Sequence, residues 1–485
     1  MEDDKRPSTI VIGAGISGLA CAYRLQRRGV SVVVLEASPR AGGVIRSVRE
    51  DGYLFELGPQ STTVDAPLLA LIEELGIADQ LERAYSRAPR YVLHRGKLRA
   101  VPMGPGAFVT TGLFSARTKL RLVGEMFGRT QPPQEDESVA AFTRRKFTGE
   151  LLDRVVAPMV SGIYAGDAER LSLGAAFPSI RRFESEHGSV LRGAMKSRPA
   201  KGAPKPTLCS FADGLETLPA ALAKSLGAGL WCETKVVAVR TNRNEQDVRA
   251  AQPEIAASAT EKRAGATDSS ASGNGARFQV DIVRSGAAQT LCADAVIVAT
   301  PCDVAADILS GIDESFAKTF RQIEYAPVAV ISSGYLRKSV GNLLDGFGFL
   351  VPRGEGLHLL GNVWSSSLFP ERAPVGHVNL TSFAGGATDP EFCALPDSEI
   401  AAQITKELAQ ILRISAPPAA LRVQKYTRAL PQYNLGHGRI LETLAALTAR
   451  TPGLFLAGNY FSGPSIGACV EHATEVADAV VAHSR

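Results

Sequence analysis

Two short runs of β-branched residues, TIVI (9–12) and SVVVLE (31–36), bracket a stretch, ISGLACAYRLQRR, whose apolar positions recur at helical spacing. The pattern predicts a buried strand, a helix and a second buried strand. Two later apolar runs have the same texture. ADAVIVATP (293–301) predicts a strand returning to the same sheet, and LFLAGN predicts one ending at Gly458–Asn459, before a terminal helix from about Ile466. TKVVAVR and RFQVDIV predict a hairpin. The segment joining them, 242–276, is polar, rich in small residues and aperiodic, so it is expected to be a disordered loop. MKSRPAKGAPKP (195–206) is expected to be mobile, QPPQEDE (131–137) reads as a linker before a helix capped near Ser138, and no repeats occur.

The turn from the first strand into the first helix is GAGISG, which puts Gly13, Gly15 and Gly18 in GxGxxG spacing. The first glycine permits the tight turn, the second lets the backbone approach a pyrophosphate, and the third lets the helix pack on the sheet. Free amides at the helix start then face the phosphates. Glu36, closing the second strand, is placed to accept hydrogen bonds from both hydroxyls of a ribose. Strand, turn, helix and acid together predict a dinucleotide site.

Length and charge refine this picture. A chain of 485 residues is too long for one compact core and implies two or three domains. No apolar run reaches the eighteen or so residues of a spanning helix. The start, MEDDKRPS, is acidic and polar, unlike a cleaved signal peptide. Seven scattered cysteines without a CxxC pair argue against metal cages and disulfide frameworks and favour a cytoplasmic location. Residues 86–206 carry 21 Lys and Arg against 10 Asp and Glu, so this segment is strongly basic while the rest of the chain is net acidic. No nucleic-acid motif accompanies it. Phe108, Leu113, Phe114, Leu120, Leu122, Met126 and Phe127 are interleaved with Arg117, Lys119 and Arg121, a composition suited to peripheral contact with an anionic leaflet or to a solvated basic face over ordinary core.

The fingerprint alone does not separate FAD from NAD, but its continuation does. After Glu36 come Arg40, Gly42, Gly43 and a second glycine turn at Gly58, as in flavin enzymes whose chain runs on beside an extended cofactor. A helix beginning at Ile466 would aim its amino terminus at the flavin pyrimidine end and stabilise negative charge there. No second GxGxxG follows a strand, since GPGAF and GNGAR lie in irregular sequence, and no redox cysteine pair is present. Electrons are therefore expected to come directly from an organic substrate and pass to oxygen or another small acceptor.

Taken with the RAGG continuation and the terminal GNYFSGPSIGACVEHA, the stretches SGIYAGDAERLSL (161–173), TGLFS (111–115), GFGFLVP (346–352) and LPQYNLGH (430–437) resemble the protoporphyrinogen-oxidase branch of the amine-oxidase superfamily. The resemblance covers nearly the whole chain. It implies FAD, an α/β fold, and oxidation of protoporphyrinogen IX to protoporphyrin IX, a six-electron dehydrogenation in haem synthesis with oxygen as acceptor. Coproporphyrinogen III oxidation, a flavin amine oxidase and a non-catalytic FAD or haem carrier are the rival readings.

The implied architecture has a Rossmann-like FAD-binding domain from 1–85, 207–300 and 425–485. It also has a helical, basic, membrane-associating lobe over 86–206 and a substrate domain on an antiparallel sheet over 301–424, including VAVISSGYL and HVNLTSFAGG. Cofactor contacts then fall on Gly13, Gly15, Ile16, Ser17, Gly18, Glu36, Ala37, Arg40, Gly42, Gly43, Gly58, Pro59, Gln60 and Ser61. Val236 would meet the adenine through its backbone, and Gly458, Asn459, Ser465, Ile466 and Gly467 complete the set. Arg90 would pair with a propionate, to which a guanidinium fork is suited. Phe347, Gly348 and Leu350 would line the tetrapyrrole, with Phe383 on the opposing side. No side chain is assigned as acid or base. His437 and His472 are the candidates, and structural roles suit both better. Neither metal nor nucleic acid is expected, and family members include homodimers.

Overall fold

The computed structural model describes residues 8–85, 88–197, 207–242 and 276–484. The bulk of the 242–276 loop and of the 195–206 segment lies outside these residues, as does the acidic start.

A five-stranded parallel sheet carries the first motif. Its order is Leu230–Trp231, Val32–Leu35, Thr9–Ile12, Ala295–Val298 and Leu454–Leu456, so both later apolar runs join the sheet as expected. Every residue of Thr9–Ile12 and Ala295–Val298 is buried, which is what uninterrupted β-branched runs achieve in a sheet covered on both faces. The helices Ile16–Arg27 and Ile466–His483 pack against each other over one face. Ile466, Cys469, Val470, Ala473, Val476, Ala477 and Val480 form the inward stripe of the second, at the spacing of a buried helical face. The predicted hairpin is present: Thr234–Thr241 pairs antiparallel with Phe278–Arg284, and Ala287–Ala293 adds a third strand.

A seven-stranded sheet forms the second layer, in the order Ala420–Pro431, Tyr325–Leu336, His377–Gly385, Leu359–Val363, Gly348–Leu350, Arg90–His94 and Lys97–Ala100. All its pairs are antiparallel except Gly348–Leu350 with Arg90–His94. One face is covered by helix Asp397–Leu412, whose Ile400, Ile404, Leu408 and Leu412 pack against Ala329, Ile331, Phe349 and Leu380. Burying four such side chains contributes about 6–12 kcal/mol gross, enough to fix which sheet face turns away from the helix.

Two expected boundaries move. Residues 90–100, assigned from charge to the helical segment 86–206, are strands of this sheet, because Val92 and Leu93 bury on opposite faces. Strand Ala420–Pro431 likewise extends the sheet beyond 424. The described remainder of the basic segment is helical, chiefly Pro105–Thr110, Ala116–Glu125, Val139–Lys146, Ala157–Tyr164, Pro178–His187 and Val190–Lys196. Lys146 is buried among them, with Nζ 3.1 Å from Glu125 and 3.4 Å from Glu184.

Candidate functional site

The three glycines of the first turn are dictated by backbone geometry. Gly13 has φ +101°, and a Cβ there would stand 2.7 Å from the Ala299 carbonyl oxygen. A Cβ on Gly18 would stand 2.0 Å from the Gly13 oxygen, whereas one on Gly15 would meet no atom within 4 Å. The first and third glycines thus let strand, turn and helix close on one another, and the second faces open space. Gly15 caps the helix without a side-chain bond, leaving the first-turn amides at Ile16 and Ser17 available.

Glu36 is more committed than the sequence implies. Its carboxylate accepts the Ala14 N–H (2.7 Å) and the Ser38 N–H (2.9 Å), with the Ser38 hydroxyl at 2.7 Å. That hydroxyl has one proton and also lies 2.7 Å from the Arg40 carbonyl. A carboxylate offers about four lone-pair sites, so with the Ser38 hydroxyl turned to Arg40 two remain for hydroxyls of a ligand. Arg40 departs further from expectation. Its guanidinium donates to the carbonyls of Ala41 (2.9 Å) and Gly43 (2.6 Å) and pairs with Glu216 at 3.3 Å. It braces the glycine turn from behind, and a Cβ on Gly43 would lie 3.3 Å from Gly15 Cα, so the two turns abut.

Gly58 passes Val44 where a Cβ would stand 2.1 Å from its carbonyl oxygen. Gln60, between half-buried Pro59 and Ser61, donates to the Glu56 carbonyl (3.0 Å) and accepts from Ser365 (3.2 Å), while Ala37 is exposed. Val236 is buried at a bulge in its strand, just beyond the point where Thr234 N–H bonds the Glu36 carbonyl at 2.8 Å.

At the far end of the crevice, Ser465 caps helix Ile466–His483 by accepting the Ala468 N–H, and Gly467 lies against Asp65. The Cys469 thiol donates to the Gly463 carbonyl, and the helix packs against Ile16–Arg27. Gly458 has φ +153°, and Asn459 is half-buried in the loop before the helix. The sequence did not single out Thr300, two residues beyond the end of strand Ala295–Val298. Its hydroxyl is buried and has no partner within the protein, and its methyl lies 3.3 Å from the position of a Gly13 Cβ. An orphaned donor at the carboxyl edge of a parallel sheet, beside a cradle kept clear by glycine, fits an extended dinucleotide such as FAD.

The expected substrate residues all sit on the seven-stranded sheet. Arg90 is exposed, with its guanidinium 5.2 Å from the centre of the Phe347 ring. Gly348, paired with Arg90, has φ +140°, and a Cβ would stand 2.0 Å from the Asn362 oxygen, so strand pairing itself demands glycine there. Leu350, Gly361 and Phe383 are register partners, which puts Leu350 and Phe383 on the same sheet face, opposite to the covering helix. They therefore do not oppose each other across a slot from two elements, as expected. They flank Gly361 on one sheet face, two strand spacings or roughly 10 Å apart. Leu350 leans over Gly361 and packs on Gly162 of the lobe. A lone glycine inside the strand LLGNV was the available signal that a neighbouring side chain crosses this position.

Other polar groups took structural places. Tyr460 is 1% exposed, and its hydroxyl bonds the Thr300 and Ala457 carbonyls. Phe461 stacks on His472 at 5.0 Å. Below Gln60, Glu56 and Arg372 form a buried pair at 3.4 Å. Burial pushes the Glu56 carboxyl up to about 7 despite the Arg372 charge. All seven cysteines are free, and among the described residues no group of His, Cys, Asp and Glu could hold a metal ion.

Comparison with known proteins matches residues 16–481 to the family described as flavin containing amine oxidoreductase. The chloroplastic protoporphyrinogen oxidase of Nicotiana tabacum is 33% identical over 97% of this chain and 85% of its own. The coproporphyrinogen III oxidase of Bacillus subtilis (strain 168) is 29% identical, covering 97% of each. A crystal structure from Exiguobacterium sp. 255-15, provisionally named a protoporphyrinogen oxidase, superposes with TM-score 0.78 at 23% identity over 99% of both chains.

Proposed function

The chain belongs to the flavin-containing amine oxidoreductase family and is an FAD-dependent oxidoreductase, and from that premise we propose that it oxidises protoporphyrinogen IX to protoporphyrin IX with oxygen as acceptor. The observation that carries this is Arg90, exposed over Phe347 and one strand step from the half-buried apolar pair Leu350 and Phe383 on the same sheet face. A porphyrinogen is a large apolar macrocycle with carboxylates at its edge, and this face offers an apolar seat and one fixed cation.

When bound, FAD supplies the electron acceptance that no side chain here can. The protein's part is to hold and orient. The Ile16 and Ser17 amides and Thr300 would take the diphosphate region, Glu36 the ribose, and the Val236 backbone the adenine. The start of helix Ile466–His483 would favour negative charge at the ring. Apolar walls exclude water. In domain terms the parallel sheet and hairpin hold the cofactor, the seven-stranded sheet holds substrate, and the helices from 116 onward form the lobe.

The test is porphyrin fluorescence on adding protoporphyrinogen IX or coproporphyrinogen III to the yellow protein under air. Faster conversion of coproporphyrinogen would favour the second reading, which the Bacillus relative supports. Peroxide from an amine with neither porphyrinogen turned over would overturn both. Arg90→Ala removes one charge-assisted pair worth about 1.5–3 kcal/mol, so KM should rise roughly 10- to 100-fold with kcat and bound flavin retained. Flavin loss with an unchanged KM would refute that role.

The basic lobe is proposed to rest on an anionic leaflet. Of the interleaved apolar set, Leu113 and Phe114 are buried and half-buried Phe108 packs tilted against Phe114, but Leu120 and Phe127, with Val123 beside them, form an exposed stripe at helical spacing, 51–80% exposed. Arg117 and Arg121 flank it. Among the described residues no helix is long and apolar enough to cross a membrane. Leu120→Ser with Phe127→Ser should abolish flotation with vesicles rich in phosphatidylglycerol while leaving turnover in detergent intact. Undiminished flotation would exclude this surface.

A further inference from the structure

The motif LPQYNLGH places Tyr433 and His437 where they hold the loop between the last strand, Leu454–Leu456, and the terminal helix. The Tyr433 hydroxyl donates to the Asn459 carbonyl (2.6 Å) and accepts the Gly463 N–H (2.7 Å). His437 Nε2 lies 2.8 Å from the Tyr460 carbonyl, which fixes the tautomer as Nε2–H and leaves Nδ1 bare and unpartnered. The two rings stack at 4.3 Å and 15°, and both side chains are almost fully buried. Two consecutive loop carbonyls and one loop amide are thus held by one four-residue step of sequence. The same tyrosine is anchored from the other side. Its carbonyl accepts the Ser172 N–H at 2.8 Å, its neighbour Asn434 bridges Leu171, and its ring meets Tyr164 of the lobe at 5.6 Å.

We propose that Tyr433 and His437 are positioning residues for the flavin edge. They fix loop 458–463, and with it the start of helix Ile466–His483, in one orientation, with Tyr433 itself anchored on the helical lobe through Ser172 and Tyr164. The proposal rests on the reading that FAD lies along this crevice. Burial lowers the His437 pKa and so favours the neutral ring, with Nε2–H donated to Tyr460 and Nδ1 bare.

Tyr433→Phe keeps the stacked ring and removes both hydroxyl bonds. It should retain stoichiometric FAD, accelerate exchange of the Gly463 amide at least about tenfold, and lower kcat with KM kept. It should also change the relative affinity for oxidised and reduced flavin about tenfold, a midpoint shift of roughly 30 mV for a two-electron couple. His437→Leu should shift the potential likewise, and His437→Gln, whose amide can still donate to Tyr460, should restore it. Should Tyr433→Phe fail to fold, the His437 pair alone decides. Flavin bound at wild-type potential in the variants that fold overturns the clamp and leaves the FAD reading standing. A colourless wild-type protein that takes up no added FAD overturns the FAD reading itself.

Discussion

Lys146→Met is expected to lower the free energy of the first urea transition by about 3–5 kcal/mol, because it strips the central cation from a buried cluster and leaves its carboxylates in place. Glu125 accepts the Ser189 hydroxyl and the N–H groups of Val190 and Leu191, so it cannot swing out to water without uncapping helix Val190–Lys196. Glu184 is fully buried and pairs with Arg145 at 2.8 Å. Burial would raise its pKa, but the Arg145 fork, the Thr130 hydroxyl and the charges of Arg145 and Lys146 outweigh it and hold the carboxyl at about 2. A depressed folded-state pKa contributes stability above the unfolded value and loses it as pH falls toward the folded one. The lobe should therefore weaken between about pH 4.5 and pH 2. The double variant Lys146→Met with Glu125→Gln should recover part of the loss, since it removes one stranded charge. A loss below about 1 kcal/mol for the single variant would mean that water reaches the cluster.

None of that cluster was legible in the sequence, and the reason is physical. VAAFTRRK reads as a solvated basic helix, and nothing local distinguishes Lys146, which buries, from Arg144, which pairs at the surface with Glu169. What could be read was local or periodic. TIVI, GAGISG and SVVVLE specify strand, turn and helix within thirty residues, and the far strands Ala295–Val298 and Leu454–Leu456 announced themselves as fully apolar runs. The substrate sheet was harder. Its edge is a parallel pairing of Arg90–His94 with Gly348–Leu350, a contact set by no local signal, so charge counting drew residues 90–100 into the wrong segment. Side-chain roles divided in the same way. A GxGxxG turn predicts where backbone must pass, but not that Glu36 would be tied to Ala14 or Arg40 spent on its own turn. Thr300 could be found only once the strand ends were placed together.

Two glycines of the turn separate fold from ligand, and substituting each should have a different effect. A Cβ at Gly18 would sit 2.0 Å from the Gly13 oxygen, and Gly13 cannot retreat, being bonded to the Leu35 carbonyl at 2.8 Å and backed by Ala299. Gly18→Ala must therefore push helix Ile16–Arg27 off the sheet. Overpacking of this kind costs about 1–3 kcal/mol, and the Ala14 bond to Glu36 goes with it. The variant should melt earlier and purify colourless. Gly15 has φ −71°, and the protein places nothing within 4 Å of its Cβ position, so Gly15→Ala should fold and melt as wild type does. Its only obstacle is whatever lies in front of the turn. If a diphosphate does, losing two charged hydrogen bonds at about 1.5 kcal/mol each weakens FAD binding roughly a hundredfold. Calorimetric titration of the FAD-stripped protein measures this directly. A Gly15→Ala protein that binds FAD as tightly as wild type would mean that no phosphate crosses this turn, and the cofactor would have to lie elsewhere.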